Sequence, residues 1–245
     1  MPSAPLAALT LILLPFLPAR APQEPAGPWQ CEPCGAECHF KSYTGPGSCG
    51  VCGMKLVPVA SVPQVGVLLA PDADLLSITV PLGVFAGSGA VRAFTVADAR
   101  AKFRAGDALD MTPQFTFAEA PALDVLVVPA TFGLFGDELV LEYLRAACAR
   151  AKFVLAIDAG ALLLAQAGVL DGATVPGNRF IAERAKETAP KTTFDTELRS
   201  ARHGKFLIER DARGTMDAVL EILGEIAGAE VAERTAQELG LGEER

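Results

Sequence analysis

A chain of 245 residues, 51% hydrophobic and 20% charged, describes a globular protein with room for one mid-sized domain and a small appendage, not a disordered one. Its formal net charge of -8 and pI of about 4.9 argue against nonspecific nucleic-acid binding. With only two histidines, His39 and His203, histidine-based metal or acid–base chemistry has few candidates.

The N-terminal run Leu6–Leu17 is apolar but short for a bilayer span, and Ala19-Arg20-Ala21 follows it at the spacing of a cleavage site. Residues 1–21 therefore read as a secretory signal peptide, and the protein as periplasmic or secreted. The alternative is an uncleaved anchor, because no Lys or Arg precedes the run and Pro22 follows the expected cut. Residues 22–30, rich in Pro and Ala, read as a linker.

Five of the six cysteines fall in the 22 residues from Cys31 to Cys52. Cys31-Glu-Pro-Cys34 and Cys49-Gly-Val-Cys52 form two C-x2-C pairs with fourteen residues between them, a zinc-ribbon spacing. Four thiolates satisfy a tetrahedral ion, so Cys31, Cys34, Cys49 and Cys52 are the candidate ligands of zinc or another soft divalent metal. Cys38 and His39 could replace one of the pairs, and disulfide bonding is the competing use of the sulfurs in an oxidising compartment. A module this short, residues 31–58, has too little apolar area to fold unaided, so a metal would supply most of its stability. The text Pro46-Gly-Ser-Cys49-Gly-Val-Cys52-Gly-Met-Lys-Leu-Val-Pro58 resembles the small heavy-metal-binding domain of copper-efflux and related exported proteins. The first half departs from it: that family has Cys-Pro-Met-His where this chain has Cys31-Glu-Pro-Cys34.

A second linker spans residues 59–64, and a large domain is expected over 65–241. Val65–Ala70 reads as a buried first strand, and Leu75–Phe85 as a helix interrupted by Pro81 and stopped by Gly87-Ser-Gly89. Val91–Val96 is a second strand, Leu109–Phe117 an extended excursion at the sheet edge, and Asp124–Pro129 a third buried strand. A helix follows from Asp137 to Ala151, with Asp137 as its cap and Cys148 as a small buried residue. Phe153–Ile157 is another buried strand, turning at Asp158 into an Ala/Leu-rich helix over Ala159–Ala167. Beyond it come Thr174-Val175, a helix from Asn178 to Thr188, short strands at Thr192–Phe194 and Phe206–Ile208, and helices over Gly214–Ile226 and Glu230–Leu239. Strand and helix in this alternation imply an α/β fold, a mostly parallel sheet with helices on both faces.

Asp158 stands where a strand turns into a helix, at the carboxyl edge of the sheet, where open α/β folds bind ligands. The run Phe153–Gly172, together with Pro71–Phe85, Asp124–Pro129 and Gly214-Thr-Met-Asp217, resembles the ThiJ/PfpI superfamily, whose flavodoxin-like fold is shared with class I glutamine amidotransferases. The resemblance covers about seven-tenths of the chain. It implies a nucleophilic cysteine at the position of Asp158, an acidic neighbour at Asp74, oxyanion-type N–H groups near Ala130, and a His at or near Asn178. It also implies a homodimer. A carboxylate is a far weaker nucleophile than a thiolate, and Cys148 belongs to another helix, so the family's cysteine mechanism is not expected to operate.

Three readings of Asp158 stay open: a helix N-cap, a residue of a non-catalytic ligand pocket with Asp74, Ala130, Ala159 and Asn178, or one half of an acid–base pair with Asp74. The expectation is an exported metal-binding protein whose large domain binds or senses a small molecule without a cofactor. The enzyme alternative is a hydratase, lyase or hydrolase that uses the Asp74 and Asp158 carboxylates.

Overall fold

The computed structural model describes residues 28–33, 37–106 and 109–241. The expected signal peptide, residues 22–27 of the first linker and Cys34 lie outside the described residues, while Trp29 and Gln30, expected in that linker, belong to a buried strand. None of the described helices is long and apolar enough to cross a membrane.

The N-terminal module holds a two-stranded antiparallel pair, β1 (Trp29–Cys31) and β2 (Leu56–Pro58), with a 3-10 turn at Glu37–Phe40. Its small core is Trp29, Cys31, Cys38, Cys49 and Leu56, packed by Tyr43. The stretch expected as a second linker is ordered. Val59–Ser61 forms a 3-10 turn, and buried Gln64 ties it down by donating from Nε2 to the carbonyls of Val62 (2.7 Å) and Val59 (3.3 Å).

The large domain runs β3 (Gln64–Leu68), α1 (Leu75–Gly87), β4 (Arg92–Ala97), the hairpin β5 (Phe103–Ala105) and β6 (Leu109–Met111), β7 (Phe115–Thr116), β8 (Val125–Val128) and α2 (Glu138–Arg150). It continues through β9 (Phe153–Ile157), α3 (Gly160–Gln166), β10 (Thr174–Pro176), α4 (Arg179–Thr188), β11 (Thr193–Asp195), β12 (Ser200–His203), β13 (Phe206–Glu209), α5 (Ala212–Ala227) and α6 (Ala229–Glu238). Seven strands form the central sheet in the order β12-β13-β9-β8-β3-β4-β7, parallel throughout except for β12. The inner strands are apolar on both sides because both faces are covered. One face packs on α1 and α5 through Ile78, Phe85, Val219 and Ile222. The other packs on α2, α3 and α4 through Leu144, Leu162 and Ile181. At the β4–β7 edge of this second face, Phe40 of the N-terminal module packs against Phe115, ring centroids 6.2 Å apart.

Two further differences from the sequence reading lie in the strands. The stretch Leu109–Phe117 is not one extended run: its first part pairs locally with Phe103–Ala105, and only Phe115-Thr116 joins the sheet. The edge strand β12, polar and exposed, has no apolar alternation to announce it.

From β3 the chain goes first to β4 on one side and later to β8 on the other, so the strand order reverses between β3 and β8. In this architecture a crevice opens at such a point, beyond the carboxyl ends of the strands. Gly160 sets the spacing there. A Cβ on it would lie 2.7 Å from the Pro129 carbonyl oxygen and closer still to that of Val128. Both neighbours are backbone and cannot yield, so Gly160→Ala is expected to cost about 3 kcal/mol or more. Urea unfolding at neutral pH checks this, and a change below about 0.5 kcal/mol, the range of an ordinary surface substitution, would contradict it.

Candidate functional site

The crevice holds a cavity of about 540 Å3 built from four strand ends. The loop after β3 contributes Asp72 and Asp74, that after β8 Ala130 and Phe132, that after β9 Asp158, and that after β13 Arg210 and Asp211. Asp158 has φ +47°, the left-handed region, which costs a non-glycine residue about 1–2 kcal/mol and which Asp tolerates better than most. The bend is pinned from both sides: Asp158 N–H donates to the Glu209 carbonyl at 2.8 Å, and its own carbonyl accepts from Ala161 N–H at 3.0 Å.

This geometry corrects the N-cap reading of Asp158. The helix begins at Gly160, its cap position is Ala159, and no side chain caps it. The Asp158 carboxylate turns instead toward α4, where it accepts from Asn178 Nδ2 at 3.3 Å. Asn178 caps α4 with its other atom, Oδ1 accepting from Ile181 N–H at 3.0 Å, which fixes the amide orientation. Burial pushes the Asp158 carboxyl above the usual carboxylate range, and the charges of Asp74 and Asp211 push the same way. The Ala159 N–H and the Asn178 amide oppose them.

Asp74 lines the same cavity, but its side chain is committed to α1, Oδ1 accepting from Ser77 N–H at 2.9 Å. No hydrogen bond joins the two carboxylates among the described residues, so their coupling is through space. Ala130 is held at the rim: its carbonyl accepts from Asp74 N–H at 2.8 Å, and its N–H donates to Ser77 Oγ at 3.1 Å. That bond engages the Ala130 N–H, which is therefore not a free oxyanion donor. Of the expected pocket residues, Asp74, Ala130 and Asp158 line the cavity; Asn178 joins through its bond to Asp158, and Ala159 is fully buried in the core.

Residues 63–210 match the DJ-1/PfpI family. The chain belongs to that family. An isonitrile hydratase of Pseudomonas putida is 34% identical to this DJ-1/PfpI protein over 112 residues, 44% of this chain and 49% of the hydratase. The chain thus spans about half the length of that relative. A THiJ/PfpI family protein from Pseudomonas syringae superposes with a TM-score of 0.65 at 22% identity, covering 75% of this chain and 77% of the other. Drosophila melanogaster DJ-1beta gives 0.64 at 19%, covering 74% and 98%. At these identities the two structures speak for the fold.

A second candidate site lies in the N-terminal module. Cys31 at the end of β1, Cys38 in the 3-10 turn, and Cys49 and Cys52 in the turn before β2 bring four sulfurs within 4.8 Å of one another. The Cys31 and Cys52 sulfurs are 3.7 Å apart, close to the edge of about 3.8 Å of a tetrahedron with zinc–sulfur bonds. Cys38, a substitute ligand in the sequence reading, here completes the set. Cys34 and the side chain of His39 lie outside the described residues. Tyr43 Oη lies 3.0 Å from Cys49 Sγ, and Val51 N–H donates to the same sulfur at 3.4 Å. The Tyr43 hydroxyl is the main reason that the Cys49 thiol is lowered to about 5, while burial raises Cys31. Four soft donors of this geometry fit a divalent soft ion, which would bind β1, the 3-10 turn and the 49–52 turn to one another.

Glu209 was not anticipated. It ends β13, its carbonyl supports Asp158, and its side chain rests against Gly214 in the first turn of α5. Burial, then the charges of Asp211, Asp217 and Glu221, raise its carboxyl to about 7. The acidic text Glu209-Arg-Asp211 at a strand end was the available signal. A carboxyl raised in the fold loses stability as pH climbs from about 4.5 through about 7. Glu209→Gln should therefore be the more stable protein at pH 8 by about 1–2 kcal/mol, less than the full shift implies because the α5 N-terminus favours the charge. The gap should close below about pH 4.5, the ordinary carboxyl value; urea unfolding across pH measures it, and a pH-independent gap would refute this account.

Proposed function

We propose that this DJ-1/PfpI protein is an exported metal-binding protein whose large domain binds a small molecule without cysteine catalysis. One observation carries the reading. The strained bend, the cavity and the supporting bonds are all present, yet the atom presented at the bend is a carboxylate oxygen, and no cysteine among the described residues lines the cavity. Cys148 is buried within α2, its thiol pushed up to about 12 by burial, and is in no state to react. The walls set the ligand class. Asp72, Asp74, Asp158 and Asp211 surround an apolar side made by Leu75, Leu76 and Phe132. Arg210, the arginine among the described lining residues, is engaged with the Thr196 carbonyl at 2.7 Å. A small molecule with a cationic or hydrogen-bond-donating head and an apolar body fits such a pocket. The four-cysteine cluster supports zinc or a similar soft ion in the N-terminal module, and export rests on residues 1–21.

A second reading has one specific support: burial holds Asp158 toward its neutral acid form, the state a general acid needs. With the isonitrile hydratase as a relative, the reaction would be hydration of an isonitrile. Asp158 gives its proton to the terminal carbon, water bonds to that carbon, and the surplus proton of the water returns to the carboxylate. The product tautomerises to the N-substituted formamide.

Incubation with a small alkyl isonitrile, followed by chromatography for the formamide, separates the two. The binding reading expects no product above the uncatalysed background from wild type. Turnover that Asp158→Asn abolishes would overturn it in favour of the hydratase. Metal content has its own check: wild type is expected to hold one zinc per chain by elemental analysis, and Cys31→Ser to lose most of it.

A further inference from the structure

Arg92 opens β4 and is 1% exposed, a fully buried guanidinium. Nη1 donates to Gln30 Oε1 at 2.8 Å, while Nε and Nη2 have no hydrogen-bond partner among the described residues. Among the described residues no carboxylate lies within ion-pair distance of it. Three aromatic rings stand in for an acid: Phe115, Phe40 and Phe94, with centroids 5.3, 5.7 and 6.0 Å from the guanidinium carbon. A desolvated cation–π contact returns about 2 kcal/mol, set against a burial penalty of several kcal/mol for an unpaired ion. The cage must therefore stay complete for the charge to be tolerated.

Half of that cage comes from the N-terminal module, and each half-cage residue is tied to a sulfur. Gln30 immediately precedes Cys31 in β1, and Phe40 follows Cys38 by two residues in the same 3-10 turn. The other two rings, Phe94 and Phe115, belong to β4 and β7 of the central sheet. Arg92 is thus the point where two sulfur-bearing segments grip the large domain.

We infer that Arg92 couples metal occupancy of the four-cysteine site to the stability of the DJ-1/PfpI domain, an inference that rests on the metal reading above. A divalent ion on four thiolates leaves a net charge of about -2 in the segments that carry Gln30 and Phe40. It also fixes those segments against each other, and so holds both contacts on the guanidinium. Without the ion the segments loosen, Arg92 keeps only its sheet partners, and the apolar surface of Phe94 and Phe115 is uncovered. Linkage is reciprocal: the factor by which the Arg92 contacts stabilise the metal form more than the metal-free form is the factor they add to metal affinity.

The test uses the full chain and zinc alone, with affinity measured by competition against a chromophoric chelator and stability by thermal unfolding with and without one equivalent of zinc. Wild type is expected to bind zinc and to unfold several degrees higher with it. Arg92→Met keeps the bulk without the charge; it should bind zinc at least about 5-fold more weakly and show at most half the rise. Gln30→Leu, which cuts the hydrogen bond and leaves Arg92 in place, should move both readings in the same direction and serves if Arg92→Met does not fold. Unchanged zinc affinity and an unchanged rise in the folded variant overturn the coupling while the metal site stands. Failure of wild type to take up zinc refutes the metal reading, and the coupling with it.

Discussion

The arrangement at the crevice depends on how closely α3 approaches the ends of β8. Gly160 has no room for a Cβ against the Val128 and Pro129 carbonyls, so the chain must leave β9 and enter the helix within two residues. That leaves Asp158 in the left-handed region, held by the carbonyl of Glu209 on one side and the N–H of Ala161 on the other. The cost is offset by the core beneath, where Ala159 and Ala161 to Leu164 are fully buried. Backbone geometry therefore dictates where the side chain of residue 158 points, and it does so whatever that side chain is.

Position and chemistry are separable here. The bend aims its side chain into a cavity at the strand-order reversal, the place the fold provides for a ligand. What can happen to the ligand then depends on one atom type. A carboxylate there has weak nucleophilicity but can hold or move a proton, and its acidity is set by burial against two opposing N–H donors. Asn178 matters for the same reason: its amide is locked between the α4 cap and the Asp158 oxygen, so the Asp158 carboxylate is oriented as well as buried. Asp74, by contrast, spends its oxygen on the first turn of α1, which weakens any picture of two equivalent carboxylates sharing a proton.

Much of this was legible in the sequence, for physical reasons that can be named. Strands buried on both faces are continuous apolar runs, so Phe153–Ile157 and Val125–Val128 announced themselves, and Asp137 was readable as the cap of its helix; Asn178, expected as the first residue of α4, is in fact its cap. β12 could not be read, because an exposed polar edge strand carries no periodic signal. The Cys-x2-Cys spacing drew attention to pairs of neighbours, whereas Cys38 reaches the cluster through a 3-10 turn that spacing does not encode. Asp158 could be placed at the bend and, by the family resemblance, in one pocket with Asn178, but the hydrogen bond between them had no sequence signal, since it is made through the packing of α4. Arg92 left a trace, a lone cation opening a mostly apolar strand, but its cage draws on residues up to sixty-two positions away.

That cage also explains why the small module need not be self-sufficient. Three of the five residues in its core are cysteines, and the two large apolar side chains are Trp29 and Leu56. Such a core buries too little carbon to offset the conformational entropy of the loops around it. Two further sources of order are at hand, cross-linking of the sulfurs by a metal and docking on the large domain. The docking is reciprocal: Phe40 completes the sheet face at the β4–β7 edge, while Gln64 and the Val59–Ser61 turn hold the connecting chain against the first strand. The small module and the sheet therefore meet through packed side chains and hydrogen bonds rather than through a bare linker. Arg92 stands at the start of β4, at the opposite end of the sheet's strands from Asp158, which sits beyond the end of β9.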